Sequence, residues 1–349
     1  MTERVRKPRQ DVEVGFRTHV GMVRSENQDH YGYADPESDA ELYAKGRLVV
    51  VCDGMGGHNG GTVASRTTVD AVLASYRAFS GDSLKLLLGQ AIAEANAYVR
   101  DKGAKDPSLR NMGTTCVAAV LRGKTCQIAH IGDSRAYVIQ GGEIRQVTRD
   151  HTYLNDLIDI GLLTPEKARN HPERNIITRC VGMGESLQVD FTRVDLGPGD
   201  GLVLCIDGLF NHVESHEIFD LFTREEPQVA AQALVDLANQ RGGEDNITVA
   251  LMRVTSIAPG FLEADLKRSA EPEAFGEPDP ASVTPVMEVR GEENTPIAPF
   301  PRPAHVPRGD TTLQALPEFE QKESWSRGWI ILIAVELVIL VILLWKLRN

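Results

Sequence analysis

Four carboxylates each close or open an apolar run. Asp53 follows RLVVVC and leads into GMGG, and Asp133 follows TCQIAHIG and precedes Ser134 and Arg135. Asp207 follows GLVLCI and leads into Gly208, while Asp245 and Asn246 open ITVALM. Acids brought to one edge of a sheet repel one another and raise each other's pKa unless a cation neutralises them. Hard oxygen donors on a rigid scaffold favour Mg2+ or Mn2+, whereas zinc would call for His or Cys. One Asp-Gly pair is also ordinary turn chemistry, because Asp tolerates tight turns and Gly reaches positive φ. The run VVVCDGMGGHNGG says more. Its five glycines in residues 54–61 let the backbone approach another group closely, so a carbonyl there can also serve as a ligand.

The elements that must position these acids are legible as short β-branched runs: VEVGFRTHV, RLVVVCD, TTCVAAVLR, TCQIAHIG, RAYVIQ, LQVDFTRVDL, GLVLCID and NITVALMRV. Two long segments with apolar residues at helical spacing follow Gly60 and Asp82, and a third, PQVAAQALVDLANQR, precedes the last strand. Many strands with few, clustered helices predict an α+β sandwich with helices packed outside antiparallel sheets. Strand order is not legible.

The 349 residues, 42% hydrophobic, suffice for a substantial core. A net charge of −12 argues against a nucleic-acid partner, since phosphate backbones are bound through surplus Lys and Arg. An acidic chain can still act on phosphate when metal ions supply the positive charge. Five cysteines show no paired metal-ligand spacing and predict buried free thiols in a reducing compartment. Residues 1–10 form a charged tail with no apolar stretch, so no signal peptide is expected. Residues 11–254 form the expected domain. Residues 255–324 hold eleven of the 18 prolines and predict a disordered tether with a reach on the order of 45 Å.

Residues 328–345 read GWIILIAVELVILVILLW, with Trp325, Trp329 and Trp345 at the ends and Arg327, Lys346 and Arg348 flanking. At helical rise this spans roughly 27 Å, enough for one transmembrane helix. Glu336 near its midplane calls for a partner in another helix or for a protonated carboxyl. With no signal peptide expected, the domain is expected to stay on the cytoplasmic side. The expectation is a single-pass protein of the cell membrane.

The stretches GMVRSENQDHYG, VVVCDGMGGHNGG, MGTTCVAAV, IAHIGDSRAYV, TRDHT, ITRCVG, LCIDGLFNHV and GGEDNITVAL resemble, in order across residues 11–254, the type 2C metal-dependent protein phosphatase (PPM) family. The resemblance implies a four-layer α-β-β-α sandwich that hydrolyses phosphoserine and phosphothreonine in proteins through a metal-bridging hydroxide. Asp53 would bridge two Mn2+ or Mg2+ ions, with the Gly54 carbonyl on one and Asp207 and Asp245 on the other. Asp133, with Asp207, would take the third ion of bacterial members, and Asp29 would act through metal-bound water. Arg24 would clamp the substrate phosphate, for which its planar fork is suited. Phosphorylated proteins and the opposing serine/threonine kinases are the implied partners.

Met55 stands where animal members carry a histidine credited with general-acid work, and Gln28 stands where an acid is common. Both substitutions are frequent in bacterial members. His58 reads as a turn residue. His151 reads as structural, at the start of a flap over about residues 150–184 that borders the site. Asn246 reads as a residue that orients its neighbour. A catalytically weak phosphoprotein-binding regulator and a small-phosphoester phosphatase are the alternatives on the same fold. Loss of Asp53 or Asp207 would favour the regulator, and neither is lost.

Overall fold

Several of the predicted strands are apolar without alternation, which is the pattern of strands buried on both faces. The computed structural model, which describes residues 11–56, 59–168, 171–258 and 260–261, bears this out for RLVVVC: all six residues are buried. The chain divides into two units, residues 1–275 and 276–349, and every described residue belongs to the first. Residues 1–10 and the proposed span 328–345 lie outside the described residues, as do His58 and nearly all of the segment 255–324. Among the described residues no helix is long and apolar enough to cross a membrane.

In chain order the first elements are β1 (Val12–His19), β2 (Asp29–Ala34), α1 (Asp39–Lys45), β3 (Arg47–Met55), α2 (Gly60–Ala78) and α3 (Leu84–Lys105). Next come β4 (Gly113–Thr114), β5 (Cys116–Arg122), β6 (Thr125–Ile131), β7 (Arg135–Gln140) and β8 (Glu143–Gln146). The flap carries α4 (Tyr153–Asp159) and α5 (Pro165–Ala168). The last part holds β9 (Asp190–Asp195), β10 (Gly201–Cys205), α6 (Asp207–Phe210), α7 (Ser215–Arg224), α8 (Pro227–Gln240) and β11 (Ile247–Val254). One sheet runs β1-β11-β10-β7-β8 and the other β2-β3-β5-β6-β9, with β4 paired to β3. All of the pairings are antiparallel.

Three cores separate four layers. Val49, Val51 and Val117 meet Val138, Leu204 and Ala250 between the sheets. Val50 and Val120 turn the other way, against Leu88 and Ile92 of α3. On the opposite side Val203 and Leu251 pack on Phe222 of α7 and Leu234 of α8. The eight strands read from sequence are present. Those not read are β2, β4 and β8, together with α1, α6 and α7. β2 carries DHYGYA, which pairs with β3 and packs Tyr31 and Tyr33 against Phe16 of β1. All five cysteines are buried and free.

The packed chain continues past β11. Phe261 is 7% exposed and meets Tyr43 edge-on, with ring centroids 4.8 Å apart.

Phe222 is among the largest fully buried side chains. Phe222→Ala should cost about 3–5 kcal/mol, read as a lowered midpoint in denaturant unfolding followed by far-UV circular dichroism.

Candidate active site

Strand direction gathers the acids. β3 and β6 run the same way, because each is antiparallel to β5 between them. The ends of both therefore reach one edge of their sheet. In the other sheet Cys205, the last residue of β10, pairs with Arg135 at the start of β7 and with Val249 near the start of β11. Asp53, Asp133, Asp207 and Asp245 accordingly surround one cavity of about 710 Å³, whose lining also includes Arg24, Gly54, Met55 and Asn246. Asp29 pairs with Asp53 across β2 and β3 and is buried behind the cavity.

Hydroxyls and backbone hold these groups in place. Thr115 Oγ1 accepts the Asp53 N–H at 2.9 Å, and the Asp53 carbonyl accepts from Thr114 Oγ1 at 2.7 Å and from the Thr115 N–H at 2.9 Å. Thr115 Oγ1 also lies 2.6 Å from Ser134 Oγ, so one threonine ties the Asp53 strand to the turn carrying Asp133. Thr248 Oγ1 donates to Asp29 Oδ2 at 2.7 Å. Asn246 orients a loop more than a ligand. Its amide donates to the carbonyls of Val20 and Glu26 at 2.9 and 2.8 Å and accepts the Gln28 N–H at 2.7 Å, pinning the segment that carries Arg24.

Glycine is required at two of these corners. A Cβ on Gly54 would lie 2.1 Å from the Gly61 carbonyl oxygen, and one on Gly208 would lie 1.8 Å from that of Asn246. The close approach expected of the glycine run is thus, at Gly54, an approach to the first turn of α2.

Burial raises the pKa of all four of the innermost acids. Asp133 is pushed to about 7, by desolvation first and by Asp207 and Asp150 next. Asp207 is pushed to about 6, by desolvation and then Asp245. Asp53 and Asp29 are raised for the same first reason, with the neighbouring carboxylates adding to it. Asp245 is the more exposed, and Arg24 Nη2 donates to its Oδ2 at 2.8 Å.

Among the described residues no three His, Cys, Asp or Glu side chains already close on one ligating point. The donor set nevertheless suits a hard divalent cation. Every donor is oxygen, and Asp29 Oδ1 and Asp207 Oδ1 are buried without a hydrogen-bond partner. A buried orphan carboxylate oxygen is costly, and a cation would satisfy it.

His151 does not line the cavity. It is fully buried, with Nδ1 accepting the Gly132 N–H at 3.1 Å and Nε2 lying 3.2 Å from Asp190 Oδ2. The flap contributes Asn175 and Ile177 to the cavity wall. These two, with Thr115 and Thr248, are among the site residues that sequence reasoning missed. The TT of MGTTCVAAV was the available signal for Thr115, and nothing local pointed to the others.

A carboxyl whose pKa is higher folded than unfolded stabilises the fold at low pH, and that contribution is lost as pH rises through the folded value. For Asp207 and Asp133 the loss runs from about pH 4 to about pH 7 and is on the order of a few kcal/mol. The chelator-treated protein should therefore melt at a lower temperature at about pH 8 than at about pH 5. Asp133→Asn should flatten that dependence, and Mn2+ should raise the melting temperature most at the alkaline end. Thermal scans across pH, with chelator and with Mn2+, check this.

Comparison with known proteins agrees with the geometry. The sequence model described as protein phosphatase 2C matches residues 23–239. Protein phosphatase PhpP of Streptococcus pneumoniae is 36% identical over 246 residues, covering 69% of this chain and 97% of that protein. Serine/threonine protein phosphatase PstP of Mycobacterium tuberculosis is 34% identical over 238 residues, 68% of this chain. That match spans only 44% of PstP, less than half its length. A solved catalytic domain of PstP in complex with two manganese ions superposes with a TM-score of 0.61 at 31% identity, covering 70% of this chain and 99% of that one. The edge at which strand direction gathers the carboxylates and the motifs that carry them both lead to one assignment: the chain belongs to the protein phosphatase 2C family.

Proposed function

We propose that the chain is a metal-dependent protein phosphatase acting on phosphoserine and phosphothreonine. The observation that carries this reading is the ring of Asp53, Asp133, Asp207 and Asp245 around one cavity with Arg24 beside them. PhpP and PstP are named as protein phosphatases, and the manganese in the solved PstP domain matches the all-oxygen donor set.

Asp53, the Gly54 carbonyl, Asp207 and Asp245 would hold two Mn2+ or Mg2+ ions, and Asp133 with Asp207 a third. Asp29 would act from behind through water. Such ions, when bound, lower the pKa of coordinated water and neutralise charge on phosphoryl oxygens. The chain's own residues supply orientation. Arg24 donates to Asp245 across an exposed ion pair, its side chain 58% exposed. An exposed pair of this kind is worth only about 0.2–1 kcal/mol. A bidentate contact to a phosphate dianion is stronger, so Arg24 can exchange one for the other at little cost. Met55 has no proton to give, so leaving-group protonation falls to another donor.

The wider reading concerns placement. The segment 255–324 serves as a tether and 328–345 as a membrane anchor, with the domain in the cytoplasm near the kinases it opposes. Its support is the sequence of those residues. Extraction of the full chain from a membrane fraction by detergent, and not by alkaline carbonate, is the expected outcome.

The catalytic reading is tested with the purified full chain on a phosphothreonine peptide. Activity should require Mn2+ or Mg2+ and fall on the order of 10³-fold in Asp207→Ala, since charge stabilisation by metal is worth several kcal/mol. Arg24→Ala should raise KM roughly tenfold to a hundredfold, the value of a charge-assisted hydrogen bond. Activity that survives chelation, or is untouched by Asp207→Ala, would overturn the assignment.

A further inference from the structure

Asp133 lies in the tight turn between β6 and β7, and its two sequence neighbours are fastened from opposite sides. Ser134 is tied to Thr115 at 2.6 Å. Gly132 has φ of +107°, in the region that favours glycine, and a Cβ there would lie 2.6 Å from Thr115 Cγ2. On the other side of Gly132, His151 reaches both backbone polar groups. The His151 N–H donates to the Gly132 carbonyl at 2.8 Å, and His151 Nδ1 accepts the Gly132 N–H at 3.1 Å.

A backbone N–H can only donate, so Nδ1 carries no proton and Nε2 does. That Nε2–H faces Asp190 Oδ2 at 3.2 Å. Arg179 Nη1 lies 3.4 Å from Nε2, but two donors do not bond, and its partner is Asp190 Oδ1 at 3.3 Å. His130 covers one face of the ring, centroids 4.6 Å apart. The imidazole is thus oriented at both nitrogens and packed on one face, outside the catalytic cavity.

We propose that His151 is a positioning residue for Asp133: it clamps both backbone polar groups of Gly132 and so fixes where the neighbouring carboxylate stands. The inference rests on the phosphatase reading, in which Asp133 is a metal ligand. Residues that orient ligands in this way typically change metal affinity 10- to 100-fold when lost.

The two halves of the ring can be tested separately. His151→Asn keeps an acceptor near the Nδ1 position and drops the arm to Asp190. His151→Gln keeps a group near Nε2 and loses the acceptor for Gly132. Manganese binding to the full-length variants is followed by electron paramagnetic resonance of free Mn2+, beside Asp133→Asn and with melting temperatures recorded without metal. We expect Asp133→Asn to remove or weaken one class of bound Mn2+. His151→Gln should weaken that same class about 10- to 100-fold, and His151→Asn should stay within about threefold of the parent. The double variant Asp133→Asn/His151→Gln should bind no worse than Asp133→Asn, because the two residues act in series.

A residue needed only for packing would give Asn and Gln variants that lose stability alike without selective loss of Mn2+. Parent-like Mn2+ binding in His151→Gln, or losses that add in the double variant, overturns the proposal. Should His151→Gln not fold, His151→Leu, which has the shape of the Asn variant but no acceptor for the Gly132 N–H, must weaken the same class for the proposal to stand. If Asp133→Asn binds Mn2+ as the parent does, the inference falls with that ligand. Loss of binding in Asp207→Ala in the same assay would then leave the phosphatase reading standing.

Discussion

The rest of this structure depends on an unfavourable contact: carboxylates held close together, several of them buried, at one edge of a β-sandwich. Separated in water, these groups would ionise near their ordinary values. Gathered as they are, Asp133 and Asp207 titrate near 7 and 6, and Asp29 and Asp53 are raised as well. Nothing local keeps them together. The force that does so is the burial of three apolar layers some way off, which fixes strand direction and register and so fixes where the strands end.

Such a scaffold must be stiff at the points where chain and acid meet. Thr115 shows how that is done. It pairs with the Asp53 backbone, meets Ser134 through its hydroxyl, and fills the space beside Gly132 with its methyl group. A single side chain thus sets the relation between two acids that lie on different elements and eighty residues apart in sequence. Gly54 and Gly208 do the complementary work, because only the absence of a Cβ lets backbone from separate elements come so close. Turn, hydroxyl and glycine together turn the repulsion into a fixed array, which a hard divalent cation would suit.

Around this fixed array the structure places adaptable groups. Arg24 is exposed and bound by one ion pair to Asp245, and the flap brings Asn175 and Ile177 to the cavity wall. Ile160, Leu162 and Ile176 of the flap are exposed apolar side chains within a segment of short helices. The carboxylates are thus held from several sides, whereas the rim beside them is exposed and in part apolar.

The sequence by itself determined a good deal: the two-faced burial of RLVVVC, the helical period of α2, α3 and α8, and the four acids at the ends of apolar runs. These are one-dimensional properties, since an apolar run and the residue that ends it are adjacent in the chain. The same locality explains what was not legible. DHYGYA pairs as β2 with β3, and EIRQ as β8 with β7, partners that no local pattern announces. Thr248 is 219 residues from the Asp29 it bonds, and Asn246 is about as far from the loop it pins. His151 reads locally as the start of a flap, and only the fold puts its ring against Gly132. Tertiary structure decided which acids share a cavity, which are buried deeply enough to have raised pKa values, and which neutral residues fasten them. Those outcomes depend on distances through space, and contacts between residues far apart in sequence leave no period or spacing in the chain.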